Sequence, residues 1–143
     1  MRTPGHEVRG VEPKLALVAT TVVLALAGCG TADRERDAAA VTERFHAALE
    51  AGDGEAACEE LSEETASKLE DKEKKPCEAA ILSLELPKGG TVAGARVYLR
   101  SALATLAEGG VDFLDEASDG WKVSSAGCDP TAPGQPYKCE LEG

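Results

Sequence analysis

Three titratable side chains of this chain could serve an enzyme as a base or as a hydrogen-bond donor: His46, Tyr98 and Asp112. His46 lies about 100° around a predicted helix from Phe45, off the centre of the apolar face, so we expect a histidine that is solvated or lies at the mouth of a pocket, and not a general base. Tyr98 is expected to be a core aromatic of a strand whose hydroxyl reaches the sheet edge. Asp112 and Asp115 fall on opposite faces of one strand, so at most one points inward, and we expect both to be solvated.

The N-terminal segment predicts where the protein resides. A polar stretch with three basic residues precedes an apolar run over residues 15–27. This order is typical of an export signal. At about 1.5 Å of rise per residue the run spans roughly 20 Å as a helix, which is short of the ~30 Å hydrocarbon core, so we expect a cleaved signal and not a membrane span. The predicted signal covers residues 1–28.

The stretch Leu26-Ala27-Gly28-Cys29 resembles the lipobox of bacterial lipoproteins, in which a diacylglyceryl group is attached to the cysteine thiol and the signal is cut immediately before that cysteine. The resemblance implies that Cys29 becomes a lipidated N-terminus, and its acyl chains, at ~0.8 kcal/mol per buried CH₂, would anchor the protein to the cell membrane on the extracytoplasmic face. Residues 29–36 would form a short tether reaching at most about 25 Å. The alternative is an ordinary secreted protein in which Cys29 follows Gly28 by chance.

Four cysteines remain once Cys29 carries lipid, and an even number in an exported chain implies two disulfides. Three pairings are open, and we favour Cys58 with Cys77 and Cys128 with Cys139 because each pair closes a short loop within one local unit. A zinc site is the competing interpretation. It lacks CxxC spacing and has a single histidine after the signal, so we expect no metal and no cofactor. Oxidised cysteines also exclude Cys-His catalysis, which needs a free thiol.

Length and charge restrict the classes of protein further. Removal of residues 1–28 leaves 143 − 28 = 115 residues, enough for one domain, expected over residues 37–143. That part carries 15 − 3 = 12 basic and 26 − 2 = 24 acidic residues, a net charge near −12. A surface this negative repels nucleic acid and anionic headgroups, so we expect no nucleic-acid partner and a membrane attachment that depends on the lipid.

Helical signals dominate the first half of this domain. Apolar residues at helical spacing predict a helix from Asp37 to Ala51, ended by the glycine that follows. Asp53 begins a second, shorter helix through Leu61, and Ser62 can cap a third to about Lys72. A fourth helix is expected from Pro76 through Leu86, ended by Pro87.

Strand signals follow. Residues 91–107 satisfy both a helical and a strand period, so periodicity leaves that segment open. Val111 to Glu116 predicts a strand, Asp119-Gly120 predicts a two-residue hairpin turn, and Trp121 opens the partner strand as a core aromatic covering the sheet. A last strand is expected from Tyr137 to Leu141.

This order of helices and antiparallel strands resembles the cone-shaped α+β fold of nuclear transport factor 2-like proteins. Stretches after Cys29 also resemble small lipoproteins of actinobacteria, and they are Phe45 to Asp53, Pro76-Cys77, Val97-Tyr98, Phe113-Leu114, Asp119 to Val123, Ala126 to Cys128 and Pro136 to Cys139. The resemblance implies helices packed on a curved antiparallel sheet of four to five strands, with strands over Ala93–Leu99 and Ala102–Leu106, and supports the favoured disulfides. Leu99-Arg100 departs from the glycine-acidic turn that the family would have there.

Three functions are compatible with these observations. The first is a non-catalytic envelope lipoprotein whose domain binds a partner protein or a small apolar ligand. The second is a surface-anchored isomerase, dehydratase or cyclase, since enzymes with this fold aim an Asp, His or Tyr into the cone, and His46, Tyr98 and Asp112 would then line a candidate pocket. The third is a regulatory module held near a membrane protein by its short tether. Because no catalytic set such as Ser-His-Asp is present, we expect a non-enzyme.

Overall fold

The computed structural model describes the backbone of residues 14–143 and the side chains of residues 30–143. The side chains of the predicted signal, residues 1–28, and the Cys29 thiol lie outside this description. The described elements are α1 (Lys14–Ala51), α2 (Gly54–Glu59), α3 (Glu63–Glu73), α4 (Cys77–Ile81), β1 (Val92–Tyr98), β2 (Ser101–Leu106), β3 (Val111–Ala117), β4 (Gly120–Asp129) and β5 (Lys138–Glu142). Over residues 30–143, no helix is both long enough and apolar enough to cross a bilayer.

The first helix begins well before the predicted start. Residues 30–36, predicted to be a tether, are helical, so the prediction of a helix start at Asp37 is wrong. The segment after Gly30 consists of Ala, Arg, Glu and Asp with one Thr, which contains no helix breaker, and Arg36 pairs with Asp33 one turn earlier. At its other end α1 stops at Gly52, as predicted, where φ is +70°.

The next two helices begin where the capping residues predicted. Asp53 accepts the Ala56 N–H at 3.0 Å at the start of α2, and Ser62 accepts the Thr65 N–H at 3.1 Å at the start of α3. The fourth helix is shorter than expected, because it ends at Ile81 and does not continue to Leu86. There the hydroxyl of Ser83 donates to the Ala80 carbonyl at 2.7 Å, a local bond that competes with helix continuation.

The five strands form one antiparallel sheet in chain order, β1-β2-β3-β4-β5, which confirms the expected α+β class. Residues 91–107, left open by periodicity, contain the two strands that the resemblance implied. The β3–β4 hairpin is present, but its two-residue turn is Ser118-Asp119, one position earlier than predicted, since Ala117 pairs with Gly120. Trp121 is 6% exposed, as expected of a core aromatic.

The core lies between α1 and one face of the sheet. Ala38, Val41, Phe45 and Leu49 recur along one side of α1 and are buried against strand residues such as Leu114. The structure contains two disulfides, and they are the expected pairs. Cys58–Cys77 joins α2 to α4, and Cys128–Cys139 joins two residues that face each other in the β4–β5 register.

A bulge in β4 turns a backbone N–H toward a buried side chain. The β3–β4 register shifts between Val111 and Phe113, and Gly127 on the bulged strand has a φ of +63°. A Cβ at this position would also lie 2.9 Å from Cδ2 of Leu86. The bulge takes the Gly127 N–H out of the ladder and turns it toward the side chain of Asp112.

Candidate functional site

His46 and Asp112 form a buried pair beneath the sheet. Both side chains are 0% exposed, and Nε2 of His46 lies 2.5 Å from Oδ2 of Asp112. The opposite ring nitrogen, Nδ1, lies 2.7 Å from the carbonyl oxygen of Pro87. The second carboxylate oxygen, Oδ1, accepts the Gly127 N–H at 2.9 Å. The pair therefore connects α1, the loop after α4, β3 and the β4 bulge.

These contacts indicate which ring nitrogen of His46 donates and in which direction the pKa of the ring is shifted. A carbonyl oxygen can only accept, so Nδ1 of His46 donates to Pro87. Burial disfavours the imidazolium, but its hydrogen bond to Asp112, the negative charge of Asp112 and the hydrogen bond to the Pro87 carbonyl together outweigh burial and raise the pKa of His46 above 6.5. Glu108 adds a weaker effect in the same direction. Below its raised pKa, His46 is an imidazolium that donates from both nitrogens, one of them to the Asp112 carboxylate.

Both members of the pair contradict the sequence-based expectation of solvation. Asp112 alternates with Leu114 along β3, and both face the inward-facing alanines of β2, so the carboxylate enters the core. His46 lies beside the apolar stripe of α1, and this stripe is wide enough to bury Thr42 and His46 together with Phe45. Asp115 is exposed, which confirms that the two aspartates of β3 point to opposite faces.

Tyr98 does not join this pair. It is 64% exposed at the end of β1, so the expectation of a core aromatic is wrong. Tyr98 pairs with Ser101, whereas its neighbour Val97 pairs with the buried Ala102, so the tyrosine points to the outer face of the sheet. Of the three residues predicted for a candidate pocket, the structure brings two together and places the third on the opposite face.

A surface groove lies between α1 and the β3–β4 hairpin. It has a volume of about 370 Å³ and combines three basic side chains (Arg34, Arg44, Lys122), four acidic ones (Asp37, Glu60, Glu116, Asp119) and the edge of Trp121. Six of the seven charged side chains form ion pairs with one another. Arg44 binds Glu60 with two bonds at 2.7 and 3.0 Å, and Arg34 lies 3.0 Å from Glu116.

The third ion pair and a cation–π contact complete the groove wall. Lys122 contacts Asp119 at 3.2 Å, and its hydrogen bond lowers the pKa of that carboxyl. The guanidinium of Arg34 lies 5.2 Å from the ring centroid of Trp121. This groove was not predicted from the sequence, for two reasons. Arg34 was assigned to a tether. The walls of the groove also come from α1, the residue after α2 and the hairpin, which are distant along the chain.

Within residues 30–143, no group of three or more His, Cys, Asp or Glu side chains has the arrangement of a metal site. The buried side-chain nitrogen and oxygen atoms of these residues all have hydrogen-bond partners. The chain matches no protein-family model, no curated protein and no solved structure.

Proposed function

We propose that this protein is a lipoprotein of the bacterial cell envelope, anchored to the extracytoplasmic face of the membrane through lipid on Cys29, and that its domain binds a partner protein without catalysing a reaction. The anchor is supported by the lipobox-like sequence and the preceding apolar run. The cone of nuclear transport factor 2-like proteins is proposed as the fold family, and the helices followed by a five-stranded antiparallel sheet support it.

The observation that carries the non-catalytic assignment is the enclosure of His46 and Asp112. Both side chains have no exposed surface, and both ring nitrogens and both carboxylate oxygens already have partners within the protein. A general base must reach a substrate proton within hydrogen-bond distance or through one water. The polar atoms of this pair all bind within the protein and hold four segments together. We therefore assign the pair a role in the stability of the fold and none in catalysis.

The groove between α1 and the hairpin supports a protein partner over a small apolar ligand. Its lining holds seven charged side chains, and an apolar ligand would have to remove these charges from water without replacing their hydrogen bonds. A protein surface with alternating charges can form new ion pairs with Arg44, Glu60 and the neighbouring charged residues. The free-energy cost of removing these charges from water is therefore lower for a protein partner than for an apolar ligand. Because Arg34 lies only five residues after Cys29, the groove opens near the membrane, where a membrane protein is the partner that fits.

The test combines two measurements on the protein made in its own host. The first is the mass of the membrane-extracted protein, which should begin at Cys29 and carry acyl chains. The second is site-specific photo-crosslinking from position 44 in the groove, with position 72 on the exposed side of α3 as the matched control. A crosslinked membrane protein found from position 44 and absent from position 72 supports the proposal; equal crosslinking from both positions contradicts it.

A surface-anchored isomerase, dehydratase or cyclase is the second candidate, and one observation favours it. A histidine hydrogen-bonded to a carboxylate is the arrangement by which enzymes orient a base. Its test is a pair of conservative variants, His46→Gln and Asp112→Asn, assayed for turnover of small carbonyl substrates. Turnover by the wild type that both variants lose would establish the enzyme and overturn the non-catalytic proposal.

A further inference from the structure

The turn between β1 and β2 exposes two large apolar side chains next to each other. Leu99 is 90% exposed and Tyr98 is 64% exposed, and these are the highest values for large hydrophobic side chains among the described residues. A single exposed leucine is ordinary, but an aromatic and an aliphatic residue together at a hairpin tip form an apolar protrusion.

The backbone at this tip makes leucine an unfavourable choice. Tyr98 pairs with Ser101, so Leu99 and Arg100 form a two-residue turn, and Leu99 has a φ of +56°. Positive φ in such turns favours Gly, Asn or Asp, because other side chains crowd the backbone. Leu99 thus occupies a position where both its conformation and its exposure count against an apolar residue, and such a site points to a role outside folding.

The tip lies at the end of the domain that is closest to the predicted lipid. Arg34 donates a hydrogen bond to the Leu99 carbonyl oxygen at 2.5 Å. Arg34 is five residues after Cys29, which corresponds to about 7.5 Å along a helix. This hydrogen bond therefore ties the tip to the part of α1 that follows Cys29.

This distance along the helix matches the thickness of a headgroup layer. The headgroup layer adds roughly 5–7 Å on each side of the hydrocarbon core. With the Cys29 acyl chains inserted in that core and α1 along the bilayer normal, the hairpin tip lies at headgroup depth. The continuous helix through residues 30–36 makes this placement rigid, because the segment between lipid and domain has helical geometry.

We propose that Tyr98 and Leu99 insert into the same bilayer that holds the lipid on Cys29, so that the domain is docked on the membrane at two points. This docking rests on the proposed function. Leu99 suits the boundary of the acyl chains, and Tyr98 suits the headgroup region, where aromatic rings with a polar edge are enriched. The acidic charge of the domain does not favour anionic lipid, so the contact depends on apolar insertion.

The test uses the mature lipidated protein, residues 29–143, in phosphatidylcholine vesicles, with and without bromine on the lipid acyl chains. Tyr98→Trp places a fluorescent indole at the tip, and the native Trp121, only 6% exposed, gives the background measured in the wild type. Leu99→Asn, added to Tyr98→Trp, removes the apolar side chain with a residue that tolerates positive φ. Leu82→Asn is the matched control, because Leu82 is an exposed leucine at the end of α4, away from the tip.

We expect the brominated lipids to quench the introduced indole, Leu99→Asn to abolish most of that quenching, and Leu82→Asn to leave it unchanged. The melting temperature of Leu99→Asn should equal or exceed that of the parent, which separates loss of docking from loss of fold. An unquenched indole on a protein whose mass shows the lipid would overturn the docking and leave the anchor standing. Equal loss with Leu82→Asn would also overturn the docking. A mass without acyl chains on Cys29 would overturn the proposed function, and the docking with it.

Discussion

Nε2 of His46 lies 2.5 Å from Oδ2 of Asp112, although the two residues are 66 positions apart in the chain. This contact joins the C-terminal part of α1 to the start of β3, and the remaining polar atoms of the pair join both elements to the loop after α4 and to the β4 bulge. A fully enclosed charge pair of this kind depends on both partners, since removal of one leaves the other buried without compensation.

Asp112→Ala and His46→Ala should each destabilise the fold by about 3–5 kcal/mol, because each leaves an uncompensated buried group. The double variant should be less destabilised than the sum of the two, since it leaves neither member unpaired. Urea unfolding of the wild type and the three variants measures the four free energies of unfolding. Additive losses would show that the two side chains act independently, contrary to the geometry.

The pair should make stability depend on pH. The folded pKa of His46 is raised above its usual 6.5, so the folded state holds the proton more tightly than the unfolded chain. The contribution is complete below about pH 6.5 and is lost as the pH rises through the folded pKa. The free energy of unfolding of the wild type should therefore fall over that range, and His46→Gln should remove this dependence.

The same claim can be checked directly at the ring. His46 is the single histidine after residue 28, so one Hε1 resonance of the mature protein reports its titration. We expect a midpoint above 6.5. A midpoint below 6.5 would contradict the imidazolium–carboxylate assignment, and a ring that does not respond to Asp112→Asn would show that the carboxylate is not the cause.

The two disulfides should stabilise the fold by similar amounts. Their cysteines are 19 and 11 positions apart, and closing loops of these lengths is worth roughly 3 kcal/mol each in the chain-entropy model. Cys58→Ser with Cys77→Ser should cost slightly more than Cys128→Ser with Cys139→Ser, because the first loop is longer. Urea unfolding under oxidising conditions compares the two double variants. Reduction of the wild type should lower its melting temperature, and an unchanged value would mean free thiols.

Local signals in the sequence predicted the elements whose ends are determined by one or two residues. Asp53 and Ser62 cap their helices through side-chain bonds to the next turn, and Gly52 adopts the positive φ that ends α1. These events need no distant partner, so the residue type at one position is enough. The length of α4 could not be read in this way, because Leu86 is buried in the core beyond the helix end.

The candidate site depends on contacts between segments that are distant along the chain. The sequence could predict some of its features and not others. Alternation along β3 puts Asp112 on the same face as Leu114, which must be in the core, so the burial of this carboxylate could have been inferred. The acceptor role of Asp112 could not, because it comes from a bulge that frees the Gly127 N–H. The contact of Arg34 with Leu99 likewise spans 65 positions and has no local signal.

The intact mass of the protein extracted from the membranes of its own host tests the central claim most directly. The account predicts a chain that begins at Cys29 and carries a diacylglyceryl group, with Cys29→Ala giving an unprocessed or released protein without lipid. A membrane-extracted protein that retains residues 1–28, or one that begins elsewhere with an unmodified Cys29 thiol, would contradict the anchor and everything proposed for the orientation of the domain.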